Sequence, residues 1–242
     1  MKQLHLTLLL LTLTSFNIIS AQTITGDDLL NKAISHHDPY NHWNTFNDTL
    51  LVTMETPKSP NRDSQIIINL PKETFYLKTT KDTTITEYTV LKDTCKIIFN
   101  GQSKLPEAIA KANNLNCDRA VLFKNYYTYL YGLPMKLKDD GTIINQKVEQ
   151  KKLKGKSYLV LQVSYDISIG SDVWFFYFDP KTYALEVYQF YKTDTSGKIK
   201  TDTGEYILLA ETEEVSKIKI PKIRAWYYNK DNTYLGTDIL KK

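Results

Sequence analysis

The sequence predicts an α+β protein: one large curved antiparallel β-sheet of about twelve strands, an N-terminal helix, and a helix pair inserted midway to cover the concave face. Three observations carry this. Residues 173–178, Val-Trp-Phe-Phe-Tyr-Phe, are apolar at every position. They are followed by Asp179-Pro-Lys-Thr182 and a second aromatic run, which is the pattern of a β-hairpin. Period-two segments recur on both sides of that hairpin, separated by short Pro, Lys-Asp and Asp-Gly turns suited to antiparallel neighbours. Helical signals fall only at 25–37 and 105–131. A sheet of that width curls rather than staying flat, and the inserted helices are the natural plug for its hollow.

The chain opens with a processing segment. Lys2 supplies a positive start, residues 4–19 are mostly Leu, Thr and Ile without a carboxylate, and Ser20-Ala21 offers a small-residue cleavage site before Gln22. Residues 1–21 are thus expected to be a signal peptide and 22–242 a single exported domain, periplasmic or secreted. The apolar run is short and diluted by Thr and Ser, which argues against a membrane span. No Cys follows it to accept a lipid.

Thr25 is placed to cap a helix whose first turn holds Asp27 and Asp28, and Leu29, Leu30, Ala33, Ile34 and His37 share one face before Pro39 stops it. The period then changes to two. Strands are expected at 50–56, 64–70, 74–80, 83–91 and 95–99, with 57–61 as a turn. Pro106 opens a helical stretch to 113. A second helix, 118–131, carries Val121, Leu122, Tyr126, Tyr129 and Leu130 as its apolar face and stops at Gly132 and Pro134. After Asp140-Gly141 come strands at 143–153, 157–166, 173–178, 184–192, 205–213, 218–228 and 234–240.

Within 173–178, Trp174, Phe176 and Phe178 point to one face while Val173, Phe175 and Tyr177 point to the other. A strand apolar on both faces must be covered on both. Beside a helix pair, this implies a largely apolar cavity of about 300–1,000 Å³.

The net charge of +4 is mild and its lysines are dispersed, so nucleic acid is not an expected partner. Nine glycines leave no phosphate-binding loop, and no cofactor is expected. Cys95 and Cys117 are the only cysteines, and in an exported chain the expectation is an intramolecular disulfide. His36, His37, Asp38 and His42 are the one dense set of metal-ligand types. Their spacing fits no metal motif, and His near a helix C-terminus followed by an Asp-Pro turn accounts for them. Gly170-Ser171-Asp172 lacks the second glycine of a nucleophile elbow. Asp166, Glu186 and Glu205 are the carboxylates a hydrolase would need. Tyr126, Tyr127, Tyr129 and Tyr131 fit either core or a ligand-binding wall.

The leader, the helix before the first strand, the helices inserted midway and the long antiparallel run resemble the lipoprotein-localisation carriers LolA and LolB. Four stretches are more specifically similar to an uncharacterised family of exported Gram-negative bacterial proteins assigned to that fold. They are His37-Asp-Pro39 with Trp43, Asn125-Tyr-Tyr-Thr-Tyr-Leu-Tyr-Gly-Leu-Pro134, Ser171-Asp-Val-Trp-Phe-Phe-Tyr-Phe-Asp-Pro-Lys-Thr-Tyr183 and Ile220-Pro-Lys-Ile-Arg-Ala-Trp-Tyr-Tyr228. The resemblance implies an incomplete barrel with helices over an apolar cavity, and a lipid or lipoprotein acyl chain as ligand. A monomer with transient membrane contact is the matching expectation. Trp174, Phe176, Phe178, Tyr126, Leu130 and Trp226 are the residues expected to touch that ligand. A polysaccharide- or protein-binding module using Tyr-rich surface, and a hydrolase, are the other classes the sequence admits.

Overall fold

The computed structural model describes residues 24–241; the expected signal peptide lies outside them. All the strands form one open antiparallel sheet, not closed into a barrel. The first half contributes β1 (Asn47–Thr56), β2 (Ser59–Asn69), β3 (Thr74–Lys81), β4 (Thr84–Leu91) and β5 (Thr94–Phe99). The second contributes β6 (Thr142–Ile144), β7 (Glu149–Leu153), β8 (Lys156–Tyr165), β9 (Val173–Phe178), β10 (Leu185–Tyr191), β11 (Glu205–Val215), β12 (Ile218–Tyr228) and β13 (Tyr234–Lys241). The spatial order is β5-β4-β3-β2-β1-β13-β12-β11-β10-β9-β8-β6, with β7 beside β6 on β8. Two meanders are therefore welded through β1 and β13, where Val52 faces Leu240 and Met54 faces Asp238.

Three helices lie on one face, the inner one: α1 (Gly26–His37), α2 (Glu107–Ala112) and α3 (Cys117–Gly132). Thr25 caps α1 as expected, its hydroxyl accepting from the Asp28 N–H at 3.2 Å. Leu29, Leu30 and Ala33 bury completely against Leu161, Phe176, Phe178 and Ile207. The connection from β5 to β6 joins opposite edges of the sheet, so α2 and α3 must cross the hollow. A disulfide between Cys95 on β5 and Cys117, with Cα atoms 5.7 Å apart, ties the start of α3 to the edge strand. Closing that loop stabilises the fold by about 3 kcal/mol in the chain-entropy model.

Three expectations are corrected. Residues 143–153 are two strands, because residues 145–148 turn aside to receive the head of α1. There the Gly26 N–H donates to the Gln146 carbonyl at 3.0 Å, and a Cβ on Gly26 would collide with the Asn145 carbonyl. The stretch 57–61 is mostly strand: Pro60 sits inside β2 beside a register shift, where a missing N–H costs no ladder bond. The buried face of α3 is Ala120, Tyr127, Leu130 and Tyr131, whereas Val121, Leu122 and Tyr126 are exposed. The helix itself stops where expected, with Gly132 as its last residue. Leu133 is extended before Pro134, and a Cβ on Gly132 would collide with the Trp43 ring and the Lys136 side chain.

The central hairpin matches its sequence. The Asp179 carboxylate accepts from the N–H groups of Lys181 and Thr182, each at 2.9 Å, and from Lys156 Nζ at 2.8 Å. The Lys156 hydrogen bond and those N–H groups hold it well below the usual carboxylate range. Phe176 and Phe178 face the helices, while Phe175 and Tyr177 join Tyr158, Val160 and Val187 in a second cluster on the outer face. That outer cluster is sheltered by Leu153 and Ile199, and Lys151 lies 4.6 Å above the Phe175 ring. From Phe175 to Phe178 both faces of β9 are thus covered by protein, while Val173 and Trp174 stay partly exposed.

His37 lies on the buried face of α1, as its spacing predicted, and it is neutral there. It is buried, with Nδ1 donating to the Lys219 carbonyl at 2.7 Å and Nε2 accepting from the Leu185 N–H at 2.9 Å. That pattern requires the neutral ring, and burial lowers its pKa from 6.5 to about 4. The unfolded chain then binds a proton near pH 6.5 that the native state refuses until about pH 4. Stability is therefore full above pH 6.5 and falls between those values, by up to about 3 kcal/mol from this residue. Urea unfolding at pH 7 and pH 4.5 should show the loss, and His37→Gln should flatten it. An equal slope in both proteins would show that His37 does not set it.

Candidate ligand-binding cleft

Crossing from one sheet edge to the other, α3 packs down on β3, β4 and β5 with Phe123 against Tyr88 and Tyr127 against Phe75. Its other flank stands off the sheet. Between that flank and β9–β13 lies a half-open cleft of about 1090 Å³, just above the expected range. Its sheet wall is Trp174, Phe190, Trp226 and Leu235, with Met54 at the back; its helix wall is Leu122, Tyr126, Tyr129 and Leu130. Ile169, Ser171 and Asp172 from the β8–β9 connection frame the mouth, with Lys124, Lys136 and Asp139 among the polar groups at the rim. Lys136 and Asp139 pair with each other.

Local sequence explains the hollow. Register places Trp174 opposite Phe190, with ring centroids 4.8 Å apart and nearly parallel. Trp226 faces Gly236, which leaves the neighbouring position without a side chain. Gly236 must be glycine, since a Cβ would run into the Glu55 carbonyl of β1. The Tyr129 hydroxyl meets that of Tyr165 at 2.5 Å and closes one corner; burial pushes Tyr165 up to about 12.

Of the six residues expected to meet a ligand, Trp174, Tyr126, Leu130 and Trp226 line the cleft. Tyr126 keeps 40% of its surface open, and burial of its hydroxyl raises its pKa well above 10. Leu130 is nearly buried. Phe176 and Phe178 are 0% exposed and lie beneath the wall, packed on Leu29, Leu30 and Leu161. Sequence reasoning missed Phe190, Met54 and Leu235. The first was within reach, because the hairpin register itself sets Phe190 against Trp174.

It also missed a buried polar group under α3. Arg224 and Asp238 face each other on β12 and β13, and both are buried. Arg224 Nη1 donates to the Pro221 carbonyl at 2.9 Å, and its guanidinium lies 4.2 Å from the Tyr131 ring centre. Arg62 Nη2 donates to the Tyr127 hydroxyl at 3.2 Å. Burial raises the Asp238 pKa while Arg224 and Arg62 pull it down.

The histidine–aspartate cluster has structural roles. Asp38 accepts from the N–H groups of His42 and Trp43, each at 2.8 Å, and His42 Nδ1 lies 3.2 Å from the Ser216 carbonyl. No set of three metal-ligand types converges among the described residues. Glu186 is taken by Lys156 at 2.7 Å beside Tyr158 of the outer cluster, whereas Glu205 lines the cleft, so these two carboxylates do not meet. The stacked Tyr206 and Tyr227 lie under Lys154, 5.5 and 5.3 Å from their centres.

Among the described residues, an open, helix-covered antiparallel sheet with a ligand-sized cleft is the class these features define. A family model described as "Family of unknown function (DUF6503)" matches residues 3–241, and the chain belongs to that family. No curated protein matches it significantly. Among solved structures the chain is similar to a LolA superfamily protein from Nitrosomonas europaea, at 10% identity and a TM-score of 0.49, covering 91% of this chain and 93% of that one. It is also similar to a DUF1329 family protein from Desulfovibrio piger, at 8% identity and 0.49, covering 91% and 92%. Among the described residues, no helix is long and apolar enough to cross a membrane.

Proposed function

We propose that this protein is an exported carrier that shelters an acyl chain of a lipid or lipoprotein in the cleft between α3 and β9–β13. The observation that supports it is a hollow of about 1090 Å³ walled by Trp174, Phe190, Trp226 and Leu130. Uptake gains about 0.8 kcal/mol per buried CH₂, so a ten-carbon segment outweighs the ordering cost of the chain. Release needs no chemistry, only a more favourable acceptor. On this reading residues 1–21 are the export signal, residues 22–242 are one periplasmic or secreted domain that works as a monomer, and contact with membranes is transient. Native mass spectrometry of the purified mature chain tests it: a co-purifying lipid mass is expected. A preparation that carries no lipid and takes up no fluorescent fatty-acid probe would refute it.

A further inference from the structure

The cleft is not uniformly apolar. At the end where β9, β10 and β11 meet, Trp174, Phe190 and Glu205 occupy one cross-strand row, and Asp172 precedes Trp174 on the same side. Trp226 stands in the adjacent wall. Asp172 and Glu205 are both partly buried, and among the described residues neither carboxylate has a hydrogen bond or ion pair. Burial pushes the pKa of each up, and Lys192, beyond ion-pair range of both, pulls each down. Two carboxylates against one distant lysine leave this end of an apolar cleft with an excess negative charge and unspent acceptor capacity. Aromatic faces beside such carboxylates form the surroundings that hold organic cations, which bind ring faces and carboxylates together.

We propose that this end of the cleft, formed by Trp174, Phe190, Trp226, Asp172 and Glu205, binds the ammonium group of an amphiphile whose apolar body lies along α3. The inference deepens the carrier reading and rests on it. It makes the protein selective for amine-bearing amphiphiles over neutral or anionic ones with the same tail. The ammonium lies against the rings, and the carboxylates neutralise it, while the tail displaces water from Leu130, Tyr126 and Leu122.

The test is competitive titration of the mature chain with three probes that share a twelve-carbon tail: dodecyltrimethylammonium, dodecyl maltoside and dodecanoate, all below micelle formation. The ammonium is expected to bind about tenfold tighter than the maltoside, with dodecanoate the weakest. In the double variant Asp172→Asn/Glu205→Gln the ratio of ammonium to maltoside affinity should fall to about one. In Lys192→Gln, which removes the competing cation and leaves both carboxylates, the ratio should rise. Equal affinities in the unmodified protein, or an unchanged ratio in the double variant, would overturn the proposal while leaving the carrier reading intact. Failure of every probe to bind would overturn both. Comparing lysophosphatidylethanolamine with dodecylamine then separates two sources of the same chemistry: tighter lysolipid indicates a phospholipid headgroup, tighter amine a ligand without phosphate.

Discussion

Replacing Phe176 with alanine is expected to lower stability by about 3–5 kcal/mol and to leave the affinity for an acyl probe unchanged. Phe176 is 0% exposed, packed among Leu29, Leu30, Leu161 and Phe178, with its ring 6.1 Å from that of Trp174. Truncation leaves a sealed void beneath the cleft wall. Trp174→Ala should do the reverse. Its indole is partly exposed and stacks on Phe190 at the cleft surface, so its loss should weaken probe binding about tenfold at a smaller cost in stability. Unfolding midpoints and probe titrations on the same two variants give four numbers. If Trp174→Ala binds the probe as well as the parent does, the ligand lies elsewhere and the carrier reading falls.

Arg224→Ala is expected to cost a further large amount, about 3–5 kcal/mol, because it strands Asp238 in the interior and removes the cation stacked on Tyr131. Converting both partners, Arg224→Met with Asp238→Leu, should recover most of that loss, since neither charge then needs a partner. A double-mutant cycle followed by urea unfolding reads the coupling directly. A coupling near zero would mean that the two charges are compensated separately, Asp238 by Arg62.

These two pairs also show where sequence reading reaches and where it stops. Alternation along 173–178 assigned Phe176 and Trp174 to the same face, and the structure agrees. Alternation carries no information about depth along that face, and depth separates a core ring from a cleft ring. The hairpin turn at Asp179 and the cap at Thr25 were legible because each is a contact between residues at most three apart. The break in 143–153 was not, because its cause is the arrival of Gly26 at Gln146 from far away in the chain. The face of α3 was misassigned for a different reason: Tyr126, Tyr127, Tyr129 and Tyr131 surround the helix with aromatic surface, so periodicity offers little contrast. Arg224 sat inside an apolar strand pattern with no nearby carboxylate to suggest its partner, since Asp238 becomes its neighbour only through the register of β12 on β13.

The pairing of β1 with β13 sets the order in which the molecule can be assembled. A chain delivered from its N-terminus makes β1–β5 early, yet one long side of β1 stays bare until the last strand emerges. The sheet is completed at its centre rather than at an edge, by residues 234–241 sliding between two meanders already made. Contacts of such sequence separation form late and slowly. Until then both meanders present an open strand, the template on which chains cross-pair. A final keystone strand therefore leaves the sheet in two unjoined halves until residues 234–241 are in place.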